Sequence, residues 1–263
     1  MGMKMDEKAF REILEIEVEL TAACTRSCAF CTLGLPEGRR DDPPILPRAQ
    51  CYDLLWDDLN LLEYDGWLTF CGWGEPTVSE EFEAIVGDAW RMVSGAHLRL
   101  YTNGDRAEKV MRTLSIFDEV RVSVYEPPPR DLYIFERLAS RGKHPGLRLD
   151  FHNKPPWIGT PDCYTSRAGN ITHAGNTAPY PPEYEVRLAR RRHTPCEWFR
   201  TQLFLTAEGH WVTCCNDMRQ IHTWEGGVAD LFSDPDYLAM RAALADPAVD
   251  RRTLEPCAKC ESA

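Results

Sequence analysis

The sequence predicts an α/β protein built from parallel βα units, arranged as a barrel or as an open sheet. Three observations carry this. Short strand-like runs alternate with stretches of helical spacing over the first 153 residues. Four of the five strands lead into Cys24, Gly72, Asn103 or Asn153, at the ends where ligands sit in such folds. Beyond residue 195 the pattern changes to a hairpin, a helix and a terminal CxxC.

The elements follow in order. Ile13 to Thr21, ILEIEVELT, alternates apolar and acidic residues and reads as the first strand. Three cysteines follow at once, in CTRSCAFC. AQCYDLLWDDLNLLEY has helical spacing, and GWLTF is a short second strand that ends at CGWGEP. SEEFEAIVGDAWRMV reads as a helix with Ser79 as its cap. AHLRLYTNG is a third strand closed by a turn, and DRAEKVMRTLSIF the next helix. EVRVSVYE, RDLYIFERLAS and GLRLDFHN supply a strand, a helix and a fifth strand. From Lys154 to Pro195, Pro, Gly, Thr and Asn dominate, which suggests a bridge of functional loops. TQLFLTAEGHWVTC reads as a hairpin about Glu208-Gly209. SDPDYLAMRAALA reads as a helix capped by Ser233 or Asp234.

A chain of 263 residues with 43% hydrophobic and 27% charged residues suits a soluble globular protein. The net charge of −11 disfavours a nucleic-acid surface. The basic run RLARRRH reads as a solvated face. No signal peptide and no bilayer-length apolar run are evident, so a cytoplasmic location without membrane contact is expected. There the eleven cysteines are better read as metal or cluster ligands than as disulfides.

Cys24, Cys28 and Cys31 present three soft thiolates at CxxxCxxC spacing. A structural metal site takes four ligands, so three leave one position open to a ligand. The competing reading is a zinc site that borrows a distant fourth cysteine, in a metal-stabilised binding module rather than an enzyme. Gly72 and Gly74 would let backbone approach a ligand closely. The same hexapeptide also serves as an ordinary strand-to-helix turn.

CTRSCAFC, with Phe30 before the third cysteine, CGWGEP and YTNG occur in order at successive strand ends. Together they resemble the radical S-adenosylmethionine (radical SAM) enzymes. The resemblance covers residues 13 to 155 and implies a partial (βα) barrel. It implies a [4Fe–4S] cluster on Cys24, Cys28 and Cys31, with SAM on the open iron. It also implies a cofactor site that draws on Phe30, Gly72, Gly74, Glu75, Asn103, Ser123 and Asn153. Glu75 would accept bonds from the methionine ammonium. Ser123 and Asn153 would contact ribose or carboxylate, or else cap their strands.

Cys196, Cys214, Cys257 and Cys260 form a second set, written C-x12-G-x4-C followed by a helix and CxxC. Four thiolates make a closed site for zinc or a cluster. The pattern resembles the SPASM/twitch subgroup, and the chain stops three residues after Cys260, which fits the shorter twitch form. The resemblance implies one auxiliary [4Fe–4S] cluster in a small hairpin-plus-helix domain. The expected organisation is a core over 10–155, bridging loops over 156–195 and the auxiliary-cluster domain over 196–263.

Cys51, Cys71, Cys163 and Cys215 are left over. Cys51 is expected to pack in the core. Cys163 and Cys215 are passive thiols or hydrogen donors, and Cys215 could replace Cys214 as a ligand. Arg167, in SRAGN, could hold a substrate hydroxyl or carboxylate. His152 and His173 are proton acceptors or structural.

The expected activity is SAM cleavage to a 5′-deoxyadenosyl radical that takes hydrogen from a polar small molecule of aminocyclitol or sugar type. Net oxidation would follow, with the auxiliary cluster as electron acceptor and a flavodoxin or ferredoxin as reductant. A peptide maturase or epimerase is the alternative. The absence of space for a leader-binding domain before Cys24 favours the small molecule.

Overall fold

The structure, a computed structural model, describes residues 5–28, 31, 41–125, 128–142, 144–151, 195–215, 217, 220–254 and 257. After a short helix α1 (Glu7–Phe10), β1 (Glu15–Val18) opens the sheet. The next helical stretch runs over 48–61. It consists of α2 (Arg48–Cys51), a π turn (Tyr52–Trp56) and α3 (Asp57–Leu61). β2 (Trp67–Phe70), α4 (Phe82–Met92), β3 (His97–Thr102), α5 (Ala107–Thr113), β4 (Glu119–Val124), α6 (Leu132–Ser140) and β5 (Leu147–Phe151) complete the βα series. Then come α7 (Glu197–Thr201), β6 (Gln202–Leu205), β7 (Trp211–Val212), β8 (Thr223–Trp224), α8 (Val228–Leu231) and α9 (Pro235–Ala245).

The eight strands form one sheet in the order β5-β4-β3-β2-β1-β6-β7-β8. β1 to β5 are parallel to their neighbours, as the alternation of strand and helix predicts. β6 pairs parallel with the other side of β1, and β7 alone runs against the rest, paired antiparallel with β6 and with β8. The predicted hairpin therefore continues the main sheet. Gly209 supplies the left-handed residue of its turn at φ +83°.

The register divides the sheet into two faces of opposite character. Ile16, Val18, Leu68, Phe70, Leu98, Leu100, Val120 and Val122 lie on one face, all 2% exposed or less. They pack with helix residues such as Leu55, Phe82, Ile85 and Val110 in one apolar cluster. Glu15, Thr69, Arg99, Glu119 and Arg121 lie on the other face. There Arg99 pairs with Glu15 and with Glu119, each at 2.9 Å, and stacks 4.0 Å over the Trp67 ring. A parallel strand covered by apolar layers on both faces reads as a continuous apolar run. The alternation in ILEIEVELT thus records a polar interior.

One cap differs from expectation, that of α4, and one agrees, that of α9. Pro76–Val78 forms a 3-10 turn, capped by the Glu75 side chain and ended by Ser79. That turn occupies the link, so α4 starts later and has Glu81 at its N-cap. At α9 the cap is Asp234, whose carboxylate accepts from the Asp236 and Tyr237 amides, and Pro235 fills the first helical position. Among the described residues no helix is long and apolar enough to cross a membrane.

Candidate active site

The carboxyl ends of β1 to β4 open onto one cavity of about 350 Å³. Cys24, Cys28 and Cys31 line it from the loop after β1, and Gly72, Gly74 and Glu75 from the turn after β2. Asn103 follows β3, and Ser123 stands on β4. Four motifs far apart in the chain thus meet where the βα topology places ligands.

The cysteine loop is held from below. Thr21 closes the strand: its hydroxyl donates to the Pro44 carbonyl at 3.2 Å and accepts from the Ala23 amide at 3.0 Å. Asp105 grips the loop itself. It takes two bonds from the Arg26 guanidinium, at 2.9 and 2.6 Å, and one from the Thr25 hydroxyl at 2.8 Å. Two donors address Cys24 Sγ: the Arg26 amide at 3.4 Å and Asn103 Nδ2 at 3.6 Å. Burial pushes the Cys24 thiol up to about 11; the Arg26 amide pulls it down, and Glu75, Cys31 and Cys28 push it further up. Cys28 is raised too, first by burial and then by Cys31. Thiols that resist ionisation, first through burial and then through neighbouring negative charge, are stabilised as thiolates by a bound cation or cluster. Among the described residues no three His, Cys, Asp or Glu side chains stand in a ready metal-binding group. The fit to an iron–sulfur cluster therefore rests on this donor chemistry and on the adjoining cavity.

The GWGEP turn is shaped by the protein itself. A Cβ at Gly74 would lie 1.9 Å from the Thr21 carbonyl oxygen, and one at Gly72 2.6 Å from Glu19 Cγ. Both glycines therefore admit neighbouring chain, and both also line the cavity. Glu75 is 3% exposed. Its Oε1 accepts from the Thr77 amide and from the Thr77 and Thr102 hydroxyls, and its Oε2 from the Asn103 amide at 2.7 Å. Burial raises its pKa, and these donors act in the opposite direction. Glu75 thus fixes Asn103 beside Cys24 and keeps few lone pairs for a ligand.

The second cysteine set is described in part. Cys196 and Cys257 are 8% and 7% exposed within the main apolar cluster, and Cys214 is half-buried. Cys215 faces the other way: it lines the cavity. The Trp73 indole N–H donates to its carbonyl at 2.7 Å. Cys71 lines the same cavity, and burial, then Glu17 and Cys215, push its pKa well above the ordinary thiol value. Of the two adjacent thiols, this leaves Cys214 as the ligand candidate. Phe30, Asn153, Cys163, Arg167 and Cys260 lie outside the described residues, as do His152 and His173.

Several site residues escaped the sequence reading. Glu17, Tyr101 and Tyr125 line the cavity, and Arg26 and Asp105 hold the cysteine loop. Glu19 is fully buried beneath the GWGEP turn. The signal for Glu17 and Glu19 was present as acidic residues on alternate positions of a strand in a buried sheet.

This architecture defines an α/β protein with a cysteine-lined ligand cavity at the carboxyl ends of its parallel strands. No protein-family model matches the chain. Over 101 residues it is 31% identical to the S-adenosyl-L-methionine-dependent 2-deoxy-scyllo-inosamine dehydrogenase of Niallia circulans, across 38% of this chain and 39% of that protein. The matched stretch thus spans well under half of that relative's length. The fold is similar to that of BtrN in complex with AdoMet and 2-DOIA, with a TM-score of 0.74 and 19% identity. That match covers 94% of this chain and 92% of the other. Selenomethionine BtrN in an open conformation matches with a TM-score of 0.63 and 16% identity over the same shares.

Proposed function

We propose that this protein is a radical SAM dehydrogenase, which oxidises a hydroxyl-bearing carbon of a polar small molecule to a carbonyl. The observation that carries the reading is the single cavity shared by the cysteine trio, the GWGEP turn, Asn103 and Ser123. The partial likeness to a dehydrogenase named for 2-deoxy-scyllo-inosamine makes an aminocyclitol the substrate class to test first.

Cys24, Cys28 and Cys31 would hold a [4Fe–4S] cluster, and Cys196, Cys214, Cys257 and Cys260 an auxiliary one. The chemistry these groups would supply when bound is removal of one hydrogen atom from the substrate at the first site and acceptance of one electron at the second. Loss of one hydrogen atom, one electron and one proton balances the oxidation of an alcohol to a ketone. The Glu17 carboxylate, which lines the cavity, would take the hydroxyl proton. Asn103 and the Arg26 amide stabilise negative charge on Cys24 sulfur. Trp73, its ring tilted against Phe204 at 5.1 Å between centroids, forms cavity wall beside Cys215. A flavodoxin- or ferredoxin-type protein would deliver the initial electron, in a cytoplasmic setting.

Reconstituted without oxygen, the protein should bind about eight irons per chain. It should also form 5′-deoxyadenosine from SAM under reduction. Cys28→Ala should abolish that reaction; protein that holds zinc alone and leaves SAM intact would refute the reading. The position of Cys215 favours one second reading, an epimerase in which that thiol returns a hydrogen atom to the substrate. Heavy water separates the two: deuterium at the reacting carbon of the product marks the epimerase.

A further inference from the structure

Glu19 is the last acidic residue of the β1 run, and none of its surface is exposed. Its Oε1 accepts the Trp73 amide at 2.7 Å and the Gly74 amide at 3.1 Å. Its Oε2 accepts the Ala207 amide at 3.2 Å. Trp73 and Gly74 belong to the turn that walls the cavity. Ala207 belongs to the β6–β7 turn, on the hairpin that leads to Cys214 and Cys215. Gly72, at φ +143°, leaves its Cβ volume to the Glu19 side chain.

We propose that Glu19 is a positioning residue whose carboxylate ties the GWGEP turn to the β6–β7 turn, so that the cavity wall and the second cysteine hairpin move as one unit. The catalytic value of the tie rests on the function proposed above, but the tie itself belongs to the protein without cofactors. Only a carboxylate suits the place. Three amide N–H groups converge on it, and a carboxylate offers acceptors on both oxygens, whereas a glutamine would turn its own NH₂ against one of them.

The tie depends on pH in a definite direction. Burial pushes the Glu19 carboxyl up to about 7. The Ala207, Gly74 and Trp73 amides pull it down, and Glu208 pushes it up. The titratable groups that face it are Glu208 from the β6–β7 turn and Cys71 from the end of β2. Above that pKa both oxygens accept. Below it one oxygen carries a proton and gives up an acceptor, which breaks the tie and frees both turns to open.

Hydrogen exchange read by mass spectrometry on the purified full chain, free of cofactors, tests this. After correction for intrinsic exchange, segments 71–76 and 205–212 should exchange about tenfold faster at pH 6 than at pH 8, with one common midpoint. Glu19→Gln should exchange fast in both segments at both pH values. Glu208→Gln, at a surface turn, should move the wild-type midpoint down. Protection that is independent of pH, or two turns that respond separately, would overturn the proposal. Paired protection in a protein that never cleaves SAM would uphold the tie and remove only the radical chemistry.

Discussion

Gly74 shows how little space the site leaves at a single residue. Its backbone is outside the left-handed region, so the obstacle to a side chain there is purely one of contact. A methyl group would press on the Thr21 carbonyl oxygen and the 21–23 backbone that leads into Cys24. Gly74→Ala should therefore cost about 1–3 kcal/mol in urea denaturation and also reduce SAM cleavage, because the overpacked backbone carries the cysteine loop. Glu19 makes a prediction about stability as well as motion. Its carboxyl group is held at about 7 in the folded chain, against an ordinary value of 4.5. Between those values the folded protein keeps a proton that the unfolded chain has lost. The contribution is fully present below 4.5 and is lost as pH rises through about 7. Relative to Glu19→Gln, the wild type should lose on the order of 3 kcal/mol between pH 4 and pH 8, as measured by paired urea midpoints.

At the scale of the element, the interior of the sheet is tied by charge. Arg99 on β3 bridges Glu15 on β1 and Glu119 on β4, and Arg121 joins Glu119 at 2.7 Å. Glu15, Arg99 and Glu119 are mostly shielded from water, so removal of Arg99 takes the ion-pair partner from Glu15 and leaves Glu119 with Arg121 alone. Arg99→Met should destabilise by about 3 kcal/mol, and the double variant with Glu119→Gln should recover part of that loss. A double-mutant cycle with no coupling would mean that the strands are held by their apolar face alone. The strands themselves were legible because apolar residues recur at alternate positions and turns punctuate them. What the acidic residues between them did was not legible. Glu15 and Glu19 occupy similar places in the pattern, yet one meets a guanidinium and the other backbone amides. Their partners come from β3, from the GWGEP turn and from the β6–β7 turn, contacts between residues far apart in the chain. Ser79 shows the same limit locally, since Pro76 imposes a turn that a capping pattern read alone does not reveal.

At the scale of the whole molecule, β1 lies inside the sheet and depends on both ends of the chain. It pairs with β2 on one side and with β6, some 190 residues later, on the other. α9 reinforces this: Arg241 reaches the Phe199 carbonyl at 2.9 Å and Glu12 at 3.0 Å. A fragment ending at residue 155 should expose the β6 edge of β1 and aggregate, visible by size-exclusion chromatography. A monomeric, folded fragment would show that the hairpin is dispensable to the core. The cysteine trio and the strand-end motifs were readable because their residue types and order are specific. The route by which the hairpin returns to β1 was not, because short apolar runs do not name their partners. The division of the sheet into a polar and an apolar face also separates two tasks in sequence space. Glu17, Tyr101, Ser123 and Phe204 meet the cavity, and the residues between them meet helices. Ligand preference can therefore drift by change at every second position while the scaffold beneath keeps its packing. A laboratory search for new substrates can confine its randomised codons to that alternate set.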